Sequence, residues 1–452
     1  MIEDLATVEP GATPASVLAT VRAERAAADA AEARLLGAAA EWADLHPPES
    51  IHDAATFWVR GFEAEDQVAG DGCPLVAEFC AAELGAALGT STTAAKRLIG
   101  HALELRHRLP RLWRRVHAGD LPAWRARRVA ETTIHADLTP EAAAYVDRMV
   151  APFAHRTGPA VVDRLVAEAI ARTTRPVLAE HPDDPAPSVP DTRHVTIHDQ
   201  DVAYAGTVLL EAELDLADAL DLDHAVRRGA ESLQALGSDA SLDARRAEAL
   251  GDLVRRQLAL DLGGATAGGR LPAARRLDLH VHLAASVVAD TGTVTFDPLA
   301  RLEEGQRQVL LDQVKEWCAH THTQVVVRPV LDLAAHLSAP GYEPGEELRE
   351  QVVQRDRTCL FPWCSRPARR CQVDHVVPYD HADPDAGGKT ESPNLAALCV
   401  HHHRLKTHGG WSYVMPEPGV AVWRSPQGHH YLRDHTGTEA LPEPGADPPR
   451  RR

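Results

Sequence analysis

With 452 residues the chain is too long for one core, and two or three domains are expected. Aromatics are only 4% of the residues, so alanine-rich helix is the expected filler, and seven cysteines in a chain this size exclude a disulfide scaffold. A net charge of −18 excludes a uniformly basic, nucleic-acid-coating protein.

In chain order, residues 1–14 read as a disordered N-terminus, and the stretch 15–335 as a mainly helical domain with a few short strands. Ala15 to about Leu45 reads as helix, stopped by Pro47-Pro48. A second helix is expected over 54–69, up to the Gly70-Asp71-Gly72 break. Residues 80–109 read as two helices joined by Gly89-Thr90-Ser91, with Ser91 or Thr92 as N-cap, the shape of a helix-turn-helix. From Lys96 to Arg128 there are 10 basic and 2 acidic residues, a basic island in an acidic region. It reads either as a DNA-docking element or as a solvated face paired with acidic helices nearby.

Helices continue through 140–174, and a Pro/Asp-rich linker follows at 174–190. Residues 194–208 and 277–283 alternate like short strands, with acidic helix over 211–262 between them. His280 and His282 share one side of a strand but lack a third ligand nearby. A loop is expected at 263–270, a strand or linker at 325–333 and a Pro/Gly junction at 336–344. Residues 346–357 then read as a short helix. No signal peptide or run of about 20 apolar residues is visible, so a cytoplasmic protein with no membrane partner is expected.

The stretch from 359 to 408 carries the chemistry. Cys359-x4-Cys364 and Cys399-x2-His402 are two pairs of soft ligands at the spacing of a closed tetrahedral zinc site. Cys371 is a competing ligand close by. From Glu346 onward 14 Lys+Arg balance 14 Asp+Glu, so the whole negative excess lies in the first 345 residues. Asp374-His375, Asn394 and His403 interleave with the cysteine pairs. With the runs DHVVP, NLAALC and HHRLKTHGGW, this order resembles the HNH endonucleases of the zinc-framed ββα-metal branch. More narrowly, it is similar to actinobacterial proteins that join a helical domain of unknown function to a C-terminal HNH domain.

That resemblance implies a small α+β domain over 346–436 that cleaves nucleic acid, DNA in particular; the residues alone say only phosphodiester. Asp374 and His403 would grip a catalytic divalent cation (Mg2+, Mn2+, Ni2+ or Zn2+), and Cys359, Cys364, Cys399 and His402 a structural Zn2+. His375 would be the general base, with His381 as the first alternative. Asn394 would brace the loop that orients His375, and Arg404 and Lys406 would position phosphate. His401 competes for either metal role, and His408 is an auxiliary ligand or phosphate contact. The rival readings are a non-catalytic zinc-stabilised nucleic-acid-binding protein and a protein-binding scaffold built on the acidic region. Residues 411–432 read as a β-hairpin closing the domain, and 437–452 as a disordered tail.

Overall fold

The computed structural model describes residues 13–51, 63–173, 193–198, 203, 207–257, 333 and 335–442, with backbone alone at 52, 258–259, 281–282, 299–302 and 308–310. The expected linker at 174–190 and loop at 263–270 lie outside the described residues, as do His280 and the stretch 325–332. The chain divides into two compact units, 1–190 with 332–452, and 191–331.

The first unit begins with α1 (Pro14–Asp44), whose N-terminus is closed by a capping box between Thr13 and Ser16. The helix expected over 54–69 is not formed in its described part. A two-stranded ribbon, β1 (Glu65–Asp66) and β2 (Val76–Ala77), stands there, turned by Gly72 at φ +83°. Helices α2 (Cys80–Leu88) and α3 (Thr92–Leu103) follow as expected. Gly89 at φ +68° closes the first, and the Ser91 hydroxyl accepts from Ala94 N at the start of the second. Helices α4 (Pro110–His117), α5 (Ala123–His135), α6 (Pro140–Val150) and α7 (Pro159–Thr173) complete the bundle. Its core joins Leu36 and Ala40 of α1 to Leu98, Leu112, Val129, Val146 and Val166 of later helices. Asp147 on α6 accepts from the N–H groups of Arg111 and Leu112, capping α4 from across the core.

Half of the ten basic residues of the island are paired within this bundle in the following way. Lys96 pairs with Asp66, Arg106 with Asp44 and Arg128 with Asp163. Arg108 is buried against Glu104, which also accepts from Gly70 N and the Thr133 hydroxyl. Arg125 donates to the carbonyls of Ala154 and Thr157. Arg111 and Arg114 stay exposed, and with Arg115 they line an open pocket beside Asp120.

The second unit holds the hairpin β3 (His194–Ile197) with β4 (Leu210–Glu213), so residues 211–213 are strand and not the expected helix. Helices α8 (Leu216–Ala235) and α9 (Leu242–Ala259) pack with Gly229 against Ala249, where a Cβ would approach to 2.7 Å. Strands β5 (Val281–His282), β6 (Leu299–Leu302) and β7 (Gln308–Leu310) form a small antiparallel sheet.

The first unit resumes with β8 (Ser338–Ala339) and α10 (Glu346–Asp356). Strand β9 (Gln372–His375) runs antiparallel to β11 (Leu395–Leu398), with Asp374 opposite Ala396 and His375 opposite Leu395. Strand β10 (Thr390–Glu391) pairs with β8, and α11 (Val400–His408) closes the ββα unit. Strands β12 (Ser412–Glu417), β13 (Val420–Arg424), β14 (His430–Asp434) and β15 (Gly437–Leu441) form a four-stranded meander. The hairpin reading was two strands short: residues 437–441, expected in the tail, form β15, and 443–452 lie outside the described residues. The Asp434 carboxylate accepts from Thr436 N and Gly437 N, building a tight turn that sends the chain back as β15.

This C-terminal part has its own core of Phe361, Leu395, Leu398, Trp411, Trp423 and Tyr431, into which Phe79, Ala82 and Ala86 of α2 also pack. Burying apolar surface contributes roughly 25 cal/mol per Å², so these aromatic side chains dominate its stability. Among the described residues no helix is long and apolar enough to cross a membrane.

Candidate functional site

The zinc frame closes first. Cys359 and Cys364 lie on a knuckle held by Cys359 N on Arg366 O (2.8 Å) and Cys364 N on Phe361 O (3.1 Å). Trp363 in that knuckle takes φ +53°. Cys399 stands at the N-cap of α11 and His402 in its first turn. One ligand atom from each of the four residues falls within 4.8 Å of the others, and this is the one cluster of three or more ligating residues among the described residues. His402 Nδ1 is 3.3 Å from Cys399 Sγ and 3.5 Å from Cys359 Sγ. Zinc bonds of about 2.3 Å to sulfur and 2.0 Å to nitrogen give tetrahedral edges of about 3.5 Å, so the donor set fits the ion. Its electrostatics fit as well. Burial pushes the Cys359 thiol up, hydrogen bonding to Cys359 and Cys399 pushes Cys364 up, and hydrogen bonds from Cys359 and Cys364 draw Cys399 down. Three such thiols need a cation before all can be thiolates. Cys371, next to Cys359, falls outside this set of four and donates to Pro367 O at 3.4 Å.

Beside the frame, Asp374 is buried on β9. Its Oδ1 lies 3.1 Å from His403 Nε2 and 3.2 Å from Lys406 Nζ, and its Oδ2 accepts from the Tyr413 hydroxyl at 2.8 Å. Burial opposes its charge, but His403, Lys406 and Tyr413 outweigh burial and hold the carboxyl below the usual range. Burial and the same carboxylate keep the Tyr413 proton in place, so Tyr413 donates. His403 Nδ1 donates to Gln372 Oε1 at 2.7 Å, which leaves Nε2 to face Asp374. A separation of 3.1 Å is that of a hydrogen-bonded pair, and two ligands with bonds of about 2.1 Å at right angles on one ion would lie about 3.0 Å apart. Lys406 also donates to His375 O at 2.8 Å, so an ammonium shares the same carboxylate.

His375 projects to the other face of β9, as alternation along a strand demands. Its Nε2 is 2.9 Å from Thr390 Oγ1, and its ring stacks on Tyr342 with centroids 5.2 Å apart and planes at 18°. Tyr379 and His381 complete a group of four rings. Burial holds the His375 pKa below its ordinary value against the pull of Asp374, so the imidazole is neutral at pH 7. Asn394 Oδ1 accepts from Val377 N at 2.8 Å, and its Nδ2 donates to Val377 O and Lys389 O. That amide ties both ends of the 377–389 excursion, and a Cβ on Gly388 would come within 2.6 Å of it.

Arg404 lies elsewhere. It forms a two-pronged pair with Glu78 at 2.9 and 2.8 Å and covers the Phe79 ring. His401 shares the same carboxylate at 3.3 Å. Although burial works against it, His401 and Arg404 draw Glu78 down to about 2. Arg404, expected at phosphate, is thus held by Glu78, and Lys406 is the basic side chain at Asp374. His408 is half-buried near the end of α11, where burial, Arg404 and His403 lower its pKa. Gln372, Tyr413, Thr390 and Tyr342 were not foreseen. The shared strand face of Gln372 and Asp374, two apart, was the available signal for the first.

A buried Cys3His cluster beside an Asp–His pair on a ββα unit defines a zinc-framed HNH domain. The HNH endonuclease family model matches residues 359–409, and the domain of unknown function DUF222 matches 52–356, more than half the chain. The chain belongs to the DUF222 family, with an HNH endonuclease domain C-terminal to it. It is similar to uncharacterized protein Rv3776 of Mycobacterium tuberculosis, 40% identical over 123 residues, covering 25% of this chain and 22% of the relative. Uncharacterized protein Rv2100 of the same organism is 38% identical over 128 residues, covering 26% of this chain and 22% of the relative. The matched stretch thus spans about a fifth of the length of these relatives. No solved structure matches. The HNH domain points to nuclease or nucleic-acid-binding chemistry.

Proposed function

We propose that the chain is a metal-dependent endonuclease that hydrolyses phosphodiester bonds, with DNA as substrate. The observation that carries this reading is the 3.1 Å approach of His403 Nε2 to the buried Asp374 carboxylate. Those two residues would hold a divalent cation, which when bound polarises the phosphate and stabilises the leaving oxygen. His375, neutral and aimed at Thr390 and Tyr342, accepts the proton of the attacking water. Asn394 fixes the loop around it, and Gln372 fixes the tautomer of His403. Buried thiols at Cys73 and Cys80 fit a reducing compartment, the cytoplasm.

A second reading draws on Lys406, whose ammonium already sits on the Asp374 oxygen. In that reading the domain binds nucleic acid without cleaving it. Purified protein incubated with supercoiled plasmid in Mg2+, Mn2+, Ni2+ or Zn2+ separates the two. Nicking or linearisation abolished by EDTA is the expected result; binding with no cleavage in any of the four ions selects the second reading.

The two basic side chains of α11 give distinct expectations. Lys406→Ala is expected to weaken DNA binding and lower the salt slope by about 1. Arg404→Ala is expected to leave that slope unchanged and cost roughly 1.5–3 kcal/mol of stability, the value of a charged hydrogen-bonded contact. Anisotropy titrations at several salt concentrations and a urea melt check both. A salt slope lowered by Arg404→Ala would return that residue to the phosphate.

A further inference from the structure

Helix α3 begins at Thr92, just after the left-handed turn at Gly89. This turn lies on the zinc knuckle: a Cβ on Gly89 would sit 3.6 Å from the Trp363 ring. Thr92 Oγ1 is 3.0 Å from His402 Nε2, across 310 positions of sequence. The other ring nitrogen, Nδ1, is the one that faces the thiols of Cys359 and Cys399. An imidazole that gives Nδ1 to a metal carries its proton on Nε2, and the acceptor of that proton sets the orientation and basicity of the ring.

The neighbouring ring does not supply this. Phe361 stacks on His402 at 3.9 Å and 16°, which fixes the plane of the imidazole. A half-turn about Cβ–Cγ keeps that plane and replaces Nδ1 by carbon at the thiols. The same half-turn breaks the contact with Thr92, so the hydroxyl distinguishes the two orientations. In a helix-turn-helix on DNA, the start of the second helix reads bases. Here that start is spent on a zinc ligand.

We propose that Thr92, in the region of unknown function, is a positioning residue for the zinc ligand His402 of the HNH region. The zinc centre is thus completed from the helical part of the chain. The inference rests on the Cys3His cluster being a zinc site. Its test uses the full chain as wild type, Thr92→Val and Thr92→Ser, with zinc affinity read by competition against a chromophoric chelator. Thr92→Val keeps the shape and loses the acceptor, and is expected to bind zinc about 10–100-fold more weakly. Thr92→Ser restores the acceptor and is expected to recover most of that loss. A folded Thr92→Val protein with wild-type zinc affinity overturns the role of Thr92 while leaving the zinc site standing. A wild-type protein that holds no zinc removes the site itself, and the inference with it. If Thr92→Val does not fold, nitrogen-15 histidine spectra of the zinc-loaded wild type decide. Metal on His402 Nδ1 with a slowly exchanging proton on Nε2 supports the assignment, and metal on Nε2 overturns it.

Discussion

Cys364→Ala is expected to empty the zinc site and unfold the C-terminal part of the chain. Structural zinc contributes on the order of 10–16 kcal/mol of apparent binding free energy in small modules, comparable to or larger than the whole stability of a domain. Cys364 is one of four ligand atoms within 4.8 Å, and its loss leaves Cys359 and Cys399 buried beside an open position. The damage should reach past the knuckle, because Phe79, Ala82 and Ala86 of α2 belong to the same core. Helices α1 and α3 to α7 share a separate core and should stay folded. Metal analysis, circular dichroism and limited proteolysis together check this. Wild-type protein is expected to carry one zinc per chain and the variant none, with most helical signal kept and a new cleavage zone beyond residue 356. Wild-type protein free of zinc would sink the expectation.

His375→Ala is expected to lower cleavage by roughly 10²–10⁴-fold, the usual contribution of a positioned base. The zinc content and the affinity for DNA should not change, since the His375 side chain reaches neither the Cys3His cluster nor Lys406, whose ammonium holds only the backbone carbonyl of His375. The contacts it loses are those to Thr390 and Tyr342. His403→Ala should fail in another way, by weakening the hold on the divalent cation at Asp374. A metal titration distinguishes the two: excess ion partly restores His403→Ala and leaves His375→Ala where it was. Wild-type cleavage by His375→Ala at pH 7 would hand the role to another group, and His381, in the same cluster of rings, would be tested next.

The zinc frame was legible because each ligand pair is local: four residues separate Cys359 from Cys364 and two separate Cys399 from His402. The ββα unit was legible through the same stretch. Partners brought from far away were not. Nothing in the spacing of Thr92, Glu78 or Tyr342 announces His402, Arg404 or His375, since each contact is made only when separate elements pack. The separation of Arg404 from Lys406 could have been read from helix geometry. Successive residues on a helix are about 100° apart, so Lys406, three after His403, shares its face and Arg404 does not. The helix-turn-helix outline was correctly read as shape, yet its use could not follow from shape alone. The last strand was missed because the tail composition, rich in Pro and Gly, outweighed one Asx turn at Asp434.

The seat of α2 and α3 on the zinc knuckle has a consequence for how the protein is made. Chains grow from the N-terminus at about 5–20 residues per second. Thr92 leaves the ribosome 310 residues ahead of His402, so the two halves of that contact are separated by about 15–60 s of synthesis at such rates. Through that interval the apolar face of α2 around Phe79 and Ala86 has no cover, while the bundle behind it can already close on Leu98, Leu112 and Val146. Completion of the knuckle is the event that ends the exposure.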